Sequence, residues 1–243
     1  MILAVAMLWP TVALLVNVSP AEVASAFGGV PIRNAAFISL AASLISVAVA
    51  TLLGVPAAYE LAQWRDGPRS VAIFLLALPL AFPPVASGII LLNVVGVQAP
   101  FGAWLSRHGI LFVDSLGGVA LAEFFVSGSF VVIAASAAFQ ALDPIYEEAA
   151  ATLGASRLQT FWRVALPLAA PNILAGMLLA WLRAIGEYGA TSIVAYHPTS
   201  LPIALYVMLS AQGLGPALAL SYGFVVLAAL VIAVQWAVRR HVV

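Results

Sequence analysis

The sequence predicts an all-α polytopic membrane protein with about six spanning helices, folded as a single domain over residues 1–243. Three observations lead there. Hydrophobic residues make up 64% of the chain and charged residues 7%, with mean hydropathy +1.13, whereas about a quarter of a soluble domain is charged. The apolar residues fall in runs long enough to cross a bilayer, which takes about 20 residues because each backbone polar group must be satisfied inside the segment. The polar residues gather in short stretches between those runs and in one longer insert, about residues 140–168.

Six runs qualify, at 2–18, 34–61, 71–95, 119–139, 171–196 and 217–238. The first is short, and Ala24-Ser25-Ala26 beyond it resembles a signal-peptide cleavage site. It lacks a basic leading segment, and that site lies well past the apolar run, so a retained span is expected. In the third run Pro79, Pro83 and Pro84 break the helical ladder and bend the helix. Such a break is tolerated at membrane depth where it faces protein or a watery cavity, and an ordinary packing kink reads equally well. The fourth run carries Glu123 and Ser127-Gly128-Ser129. In the fifth, Arg183 and Glu187 stand four apart on one helix face and can pair. Charges inside a span tend to be functional, so the pair either gates a pathway or locks the bundle or its contact with a second copy. The loops 19–33, 98–118 and 197–216 are too short to form a solute-capturing domain, which places that task on another protein.

Arginine positions set the orientation. Arg65, Arg69, Arg157, Arg163, Arg239 and Arg240 flank one face, and only Arg33 and Arg107 the other. This asymmetry puts both termini and the insert in the cytoplasm.

Absent residues exclude whole chemistries. Without Cys there is no disulfide, thiolate metal site or Cys nucleophile. The sequence also has no Lys, so it holds neither a Walker-type phosphate loop nor a Schiff-base site. His108, His197 and His241 never pair at ligand spacing, so no metal site is expected. Net charge is zero, which implies no attraction to nucleic acid.

The insert reads as two helices joined by a glycine. Asp143 can cap the first, and Pro144 suits its first position. Glu147 and Glu148 sit near its positive N-terminal end. Ala149, Ala150 and Ala151 favour helix and present a small, flat surface. Gly154 can take the left-handed conformation that ends a helix, and Ser156 with Gln159 forms a capping-box pattern. Leu166-Pro167 and Pro171 are expected to turn the chain back into the bilayer. An amphipathic cap lying on the membrane would show Leu, Phe or Trp where this helix has alanines; small residues suit insertion into a groove.

The pattern Glu148, Ala149, Ala150, Gly154, Val164, Leu166, Pro167 resembles the cytoplasmic signature of ABC importer permeases, with Val for the commoner Ile. Three further segments narrow the resemblance to permeases for molybdate, tungstate and sulfate. They are Leu78-Pro79-Leu80 with Pro83 to Gly88, Arg183 to Ala190 (where Tyr188 replaces the usual Phe), and Thr199 to Tyr206. Glu123 and Ser127-Gly128-Ser129 depart from that pattern.

The resemblance implies type I importer permease architecture in the inner membrane of a prokaryotic cell. It implies a translocation subunit for a tetrahedral oxyanion, molybdate or tungstate first and sulfate, thiosulfate or another small anion next. Glu147, Glu148, Ala149, Ala150, Gly154, Leu166 and Pro167 would couple the pore to ATP hydrolysis. Pro83, Pro84, Ser87, Ser127, Ser129, Arg183, Glu187, Thr191 and Ser192 are the pore and gate candidates. The implied partners are a second permease copy, two cytoplasmic ABC ATPase subunits that hold ATP and Mg, an external substrate-binding protein and the bilayer. No cofactor is expected on this chain. A proton-coupled carrier using Glu123 or Glu187 is the competing transport reading, opposed by the lack of internal repeats, and the sequence offers an intramembrane hydrolase only Ser with Glu.

Overall fold

The computed structural model describes residues 2–242, except the side chains of Ala4, Val234 and residues 237–242. Arg239, Arg240 and His241 are therefore outside what can be described of side chains.

Three helices form the centre: α3 (Val30–Ala62), α7 (Leu116–Gln140) and α10 (Leu166–Ile185); the labels count α-helices in chain order. Lipid tails are as apolar as Leu, so spanning helices associate through close packing of small residues and through hydroxyls. Helix α3 supplies such a face: Ala35, Ser39, Ala42, Ser43, Ser46, Ala50, Gly54 and Ala58 are all buried. A Cβ on Gly54 would lie 2.9 Å from Val132 Cγ2, so α3 and α7 can approach only because that position is glycine. The Trp181 indole N–H donates to Ser43 Oγ at 2.9 Å, fastening α10 to α3. Large side chains such as Leu44, Leu52 and Phe74 point outward, as lipid contact requires.

Among the described residues, four helices are long and apolar enough to cross a membrane, and up to six spans result if each of two bent pairs counts as one. The first pair joins α1 (Ile2–Asn17) and α2 (Pro20–Gly28) across an 83° bend. Pro20 and a complete Ser19–Glu22 capping box start α2 afresh, so the first run does not end the span as its apolarity suggested. In the second pair, α4 (Asp66–Ala77) and a 3₁₀ turn (Leu78–Ala81) meet α5 (Pro84–Val95) at 106°. Pro83 and Pro84 offer no N–H, and the expected bend becomes a full break. Ser129 Oγ donates to Leu76 O at 2.7 Å and pins the break to α7.

The fifth run differs from expectation at both ends. Leu166-Pro167 and Pro171 do not turn the chain; helix runs without interruption from Arg157 to Ile185. Between α9 (Arg157–Thr160) and α10 lies a π-turn, Phe161–Ala165, closed by Leu166 N–H on Phe161 O. That wider turn accommodates Pro167, whose ring and missing N–H would otherwise break the ladder. At the other end the helix stops at Ile185, and a short α11 (Gly189–Val194) follows.

The loops on the face opposite the insert also carry helices, α6 (Pro100–Arg107) and α12 (Leu201–Gln212), before α13 (Leu214–Val242). Leu201 N–H donates to Ser39 Oγ at 2.8 Å, so α3 caps the start of α12.

Candidate functional site: the insert and the α5–α7–α11 junction

The insert folds as two capped helices at a fixed angle-setting glycine. Helix α8 (Ile145–Thr152) begins where Ile145 N–H reaches Asp143 Oδ1 at 3.0 Å. It ends in a Schellman motif: Ala155 N–H reaches Ala150 O at 3.0 Å and Gly154 N–H reaches Ala151 O at 2.9 Å, with Gly154 at φ +78°. Ser156 and Gln159 close a reciprocal capping box that starts α9. Glu148 and Ala149 are exposed, Ala150 is buried and Glu147 half-buried. Leu153, 88% exposed, and Ile145, 60% exposed, stand clear of the chain. Leu166 is half-buried and Pro167 exposed, both beyond the π-turn.

What anchors this unit was not legible in the motif. Gln63 Nε2 donates to Glu147 Oε2 at 3.1 Å, and Arg157 pairs with Glu60 at 2.8 Å. Beneath them Tyr59 lies between Phe139 and Phe161, with ring centroids 5.2 and 5.0 Å away. The end of α3 thus clasps both helices of the insert. The available signal was the polar sequence Tyr59-Glu60 and Gln63 closing an otherwise apolar run.

The pore and gate candidates divide into two groups. Arg183 and Glu187 pair at 2.6 Å, and Glu187, 1% exposed, also accepts Ala190 N–H at 2.8 Å. Glu187 therefore caps α11 while holding Arg183. Helices α5 and α11 touch through glycine: a Cβ on Gly88 would lie 2.9 Å from Ala190 O, and one on Gly189 would lie 2.6 Å from Pro84 Cβ. Pro84 thus meets Gly189 and Gly88 meets Ala190, with Ser87 and Thr191 fully buried on the two helices. Among the described residues, Ser87 Oγ, Thr191 Oγ1 and Glu123 Oε2 are buried without a hydrogen-bond partner.

The remaining hydroxyls are engaged. Ser127 Oγ donates to Glu123 O at 2.6 Å and lies 3.5 Å from Ser46 Oγ. Ser129 holds Leu76, as above, and Ser192 Oγ donates to Gly189 O at 3.1 Å. Among the described residues no group of three or more His, Cys, Asp or Glu could hold a metal ion.

Known proteins resemble this chain in sequence and in fold. A family model described as the binding-protein-dependent transport system inner membrane component matches residues 50–242. The chain is 41% identical over 210 residues to a probable molybdenum ABC transporter permease protein of Haloferax volcanii, covering 86% of this chain and 77% of that one. It is 35% identical over 170 residues to the sulfate transport system permease protein CysW of Synechocystis, covering 70% and 62% of the two chains. Among solved structures, it superposes with a TM-score of 0.73 on a bacterial ABC transporter that imports the polysaccharide alginate, at 18% identity and over 95% of this chain and 88% of that one. That likeness speaks to the fold alone. With residues 50–242 matched, the chain belongs to the family of inner-membrane components of binding-protein-dependent transport systems.

Proposed function

We propose that this permease forms the translocation pore of an ATP-driven importer for a tetrahedral oxyanion, with molybdate or tungstate as the first candidates. The observation that carries the reading is the insert: a capped helix–glycine–helix unit with an exposed Ala149 and Leu153, clasped to α3 by Glu60 and Gln63. A surface so held transmits force rather than lying loosely on the membrane. With no Lys, the chain cannot supply the phosphate loop itself, so ATP and Mg sit on two partner ATPases that seat on α8. Six arginines against two put the insert and both termini in the cytoplasm.

Two copies of the chain surround the pathway beside the break before α5, and the buried hydroxyls of Ser87 and Thr191 reach it only when α5 and α11 move apart. Hydroxyls without strong positive charge suit a pore that must release its cargo. High affinity then resides in an external binding protein. The molybdenum relative at 41% identity supports molybdate as the first candidate, and the sulfate relative at 35% makes sulfate the alternative.

Vesicles holding the permease, its ATPase and its binding protein test this. Molybdate or tungstate is expected to stimulate ATP hydrolysis and to accumulate, and Glu148→Lys is expected to abolish both. Stimulation by sulfate alone reassigns the cargo; uptake driven by a proton gradient without ATP overturns the reading.

A further inference from the structure

A groove between α3 and the α9–α10 helix opens beside the Glu60–Arg157 clasp. Two cavities, of 590 and 370 Å³, share the lining residues Pro56, Phe161 and Trp162 and so adjoin along this face. The larger part is walled by apolar side chains such as Leu52, Val55, Ala170 and Met177. The smaller part is its mouth, where Glu60 and Arg157 stand 2.8 Å apart with about half of each side chain open to solvent.

The dimensions fit one membrane leaflet. From Phe161 to Met177 the helix rises about 24 Å at roughly 1.5 Å per residue. Half a bilayer, headgroups included, is about 20–22 Å. Trp162 lies where the two parts join, as aromatic rings do at headgroup level.

We propose that this groove binds one phospholipid with a zwitterionic, primary-ammonium headgroup. One acyl chain lies along α10, the phosphate meets Arg157, and the ammonium donates to Glu60. The paired charges at the mouth select this occupant. A purely anionic headgroup would face the Glu60 carboxylate, and a choline headgroup has no N–H to donate to it, whereas charge-assisted hydrogen bonds need such donors. An acyl chain gains little by leaving the bilayer for an equally apolar groove, so selectivity resides at the mouth. The inference needs only that the chain sits in a membrane and stands apart from the identity of the cargo.

The test uses the full chain in nanodiscs of phosphatidylethanolamine, phosphatidylcholine and phosphatidylglycerol, with retained lipid counted by native mass spectrometry. One phosphatidylethanolamine per chain is expected, preferred about tenfold over the other two. Ala170→Phe, which fills the groove, is expected to remove it, and Glu60→Gln to erase the preference while lipid is still retained. Leu52→Trp on the facing wall serves if Ala170→Phe lowers the melting temperature. Equal retention of all three lipids overturns the proposal. So does retention unchanged by both groove-filling variants, or a weakened dimer with lipid binding intact, which would give the groove to a second copy.

Discussion

Arg157 at the start of α9 lies 2.8 Å from the carboxylate of Glu60 at the end of α3. With Gln63 on Glu147 and Tyr59 wedged between Phe139 and Phe161, that contact joins the insert to a helix outside its own stretch of sequence. Helix α3 reaches the opposite face, where Ser39 caps α12. A displacement of the insert therefore has a packed helix through which to act.

Glu60→Arg is expected to lower the ratio of transport to ATP hydrolysis, and the exchange Glu60→Arg with Arg157→Glu to restore most of it. Both side chains are more than half exposed, so the pair contributes at most about 1 kcal/mol to stability and melting should barely move. Coupled uptake and ATPase rates in vesicles, compared with thermal melting, separate the two effects.

Gly154→Val is expected to impair ATP-driven uptake. The cause is conformational, since a Cβ there meets nothing within 4 Å while φ is +78°. A left-handed non-glycine residue costs about 1–2 kcal/mol, and Asn tolerates that region best. Gly154→Asn should retain most uptake where Gly154→Val loses it; equal loss in both would place the effect elsewhere.

Arg183→Ala leaves Glu187 buried without its cation. Removing one partner of a buried pair costs about 3–5 kcal/mol, so a clear drop in melting temperature in detergent is expected. Glu187→Gln, which preserves shape and removes the charge, should cost less.

Gly88→Val tests the α5–α11 contact. Its Cβ would stand 2.7 Å from Ile193 Cβ and 2.9 Å from Ala190 O, and such overpacking costs about 1–3 kcal/mol. Gly215→Ala, where a Cβ meets nothing within 4 Å, is the control and should melt like the parent.

The caps of the insert were legible because they are local: Asp143, Gly154, Ser156 and Gln159 act on neighbours within a few residues. The Arg183–Glu187 pair was legible for the same reason. Span geometry was harder. The prolines of 71–95 announced a bend without fixing its 106°, and apolarity alone does not say whether a run crosses straight, so 171–196 hid the end of a helix at Ile185. Pro167 misled in the opposite sense, because a π-turn absorbs it. The partners of Glu147 and Arg157 come from α3, and tertiary packing of that kind leaves no spacing to read.

The most direct measurement exploits the absence of Cys. A single cysteine replacing Ala149 on α8, and another replacing Thr199 on the opposite face, would each be treated with a cross-linker in membranes containing the ATPase. Seating of the insert in the ATPase predicts a permease–ATPase adduct from Ala149→Cys, none from Thr199→Cys, and arrest of uptake once the adduct forms. Adducts from Thr199→Cys alone, or uptake undisturbed by full cross-linking at Ala149→Cys, would contradict it.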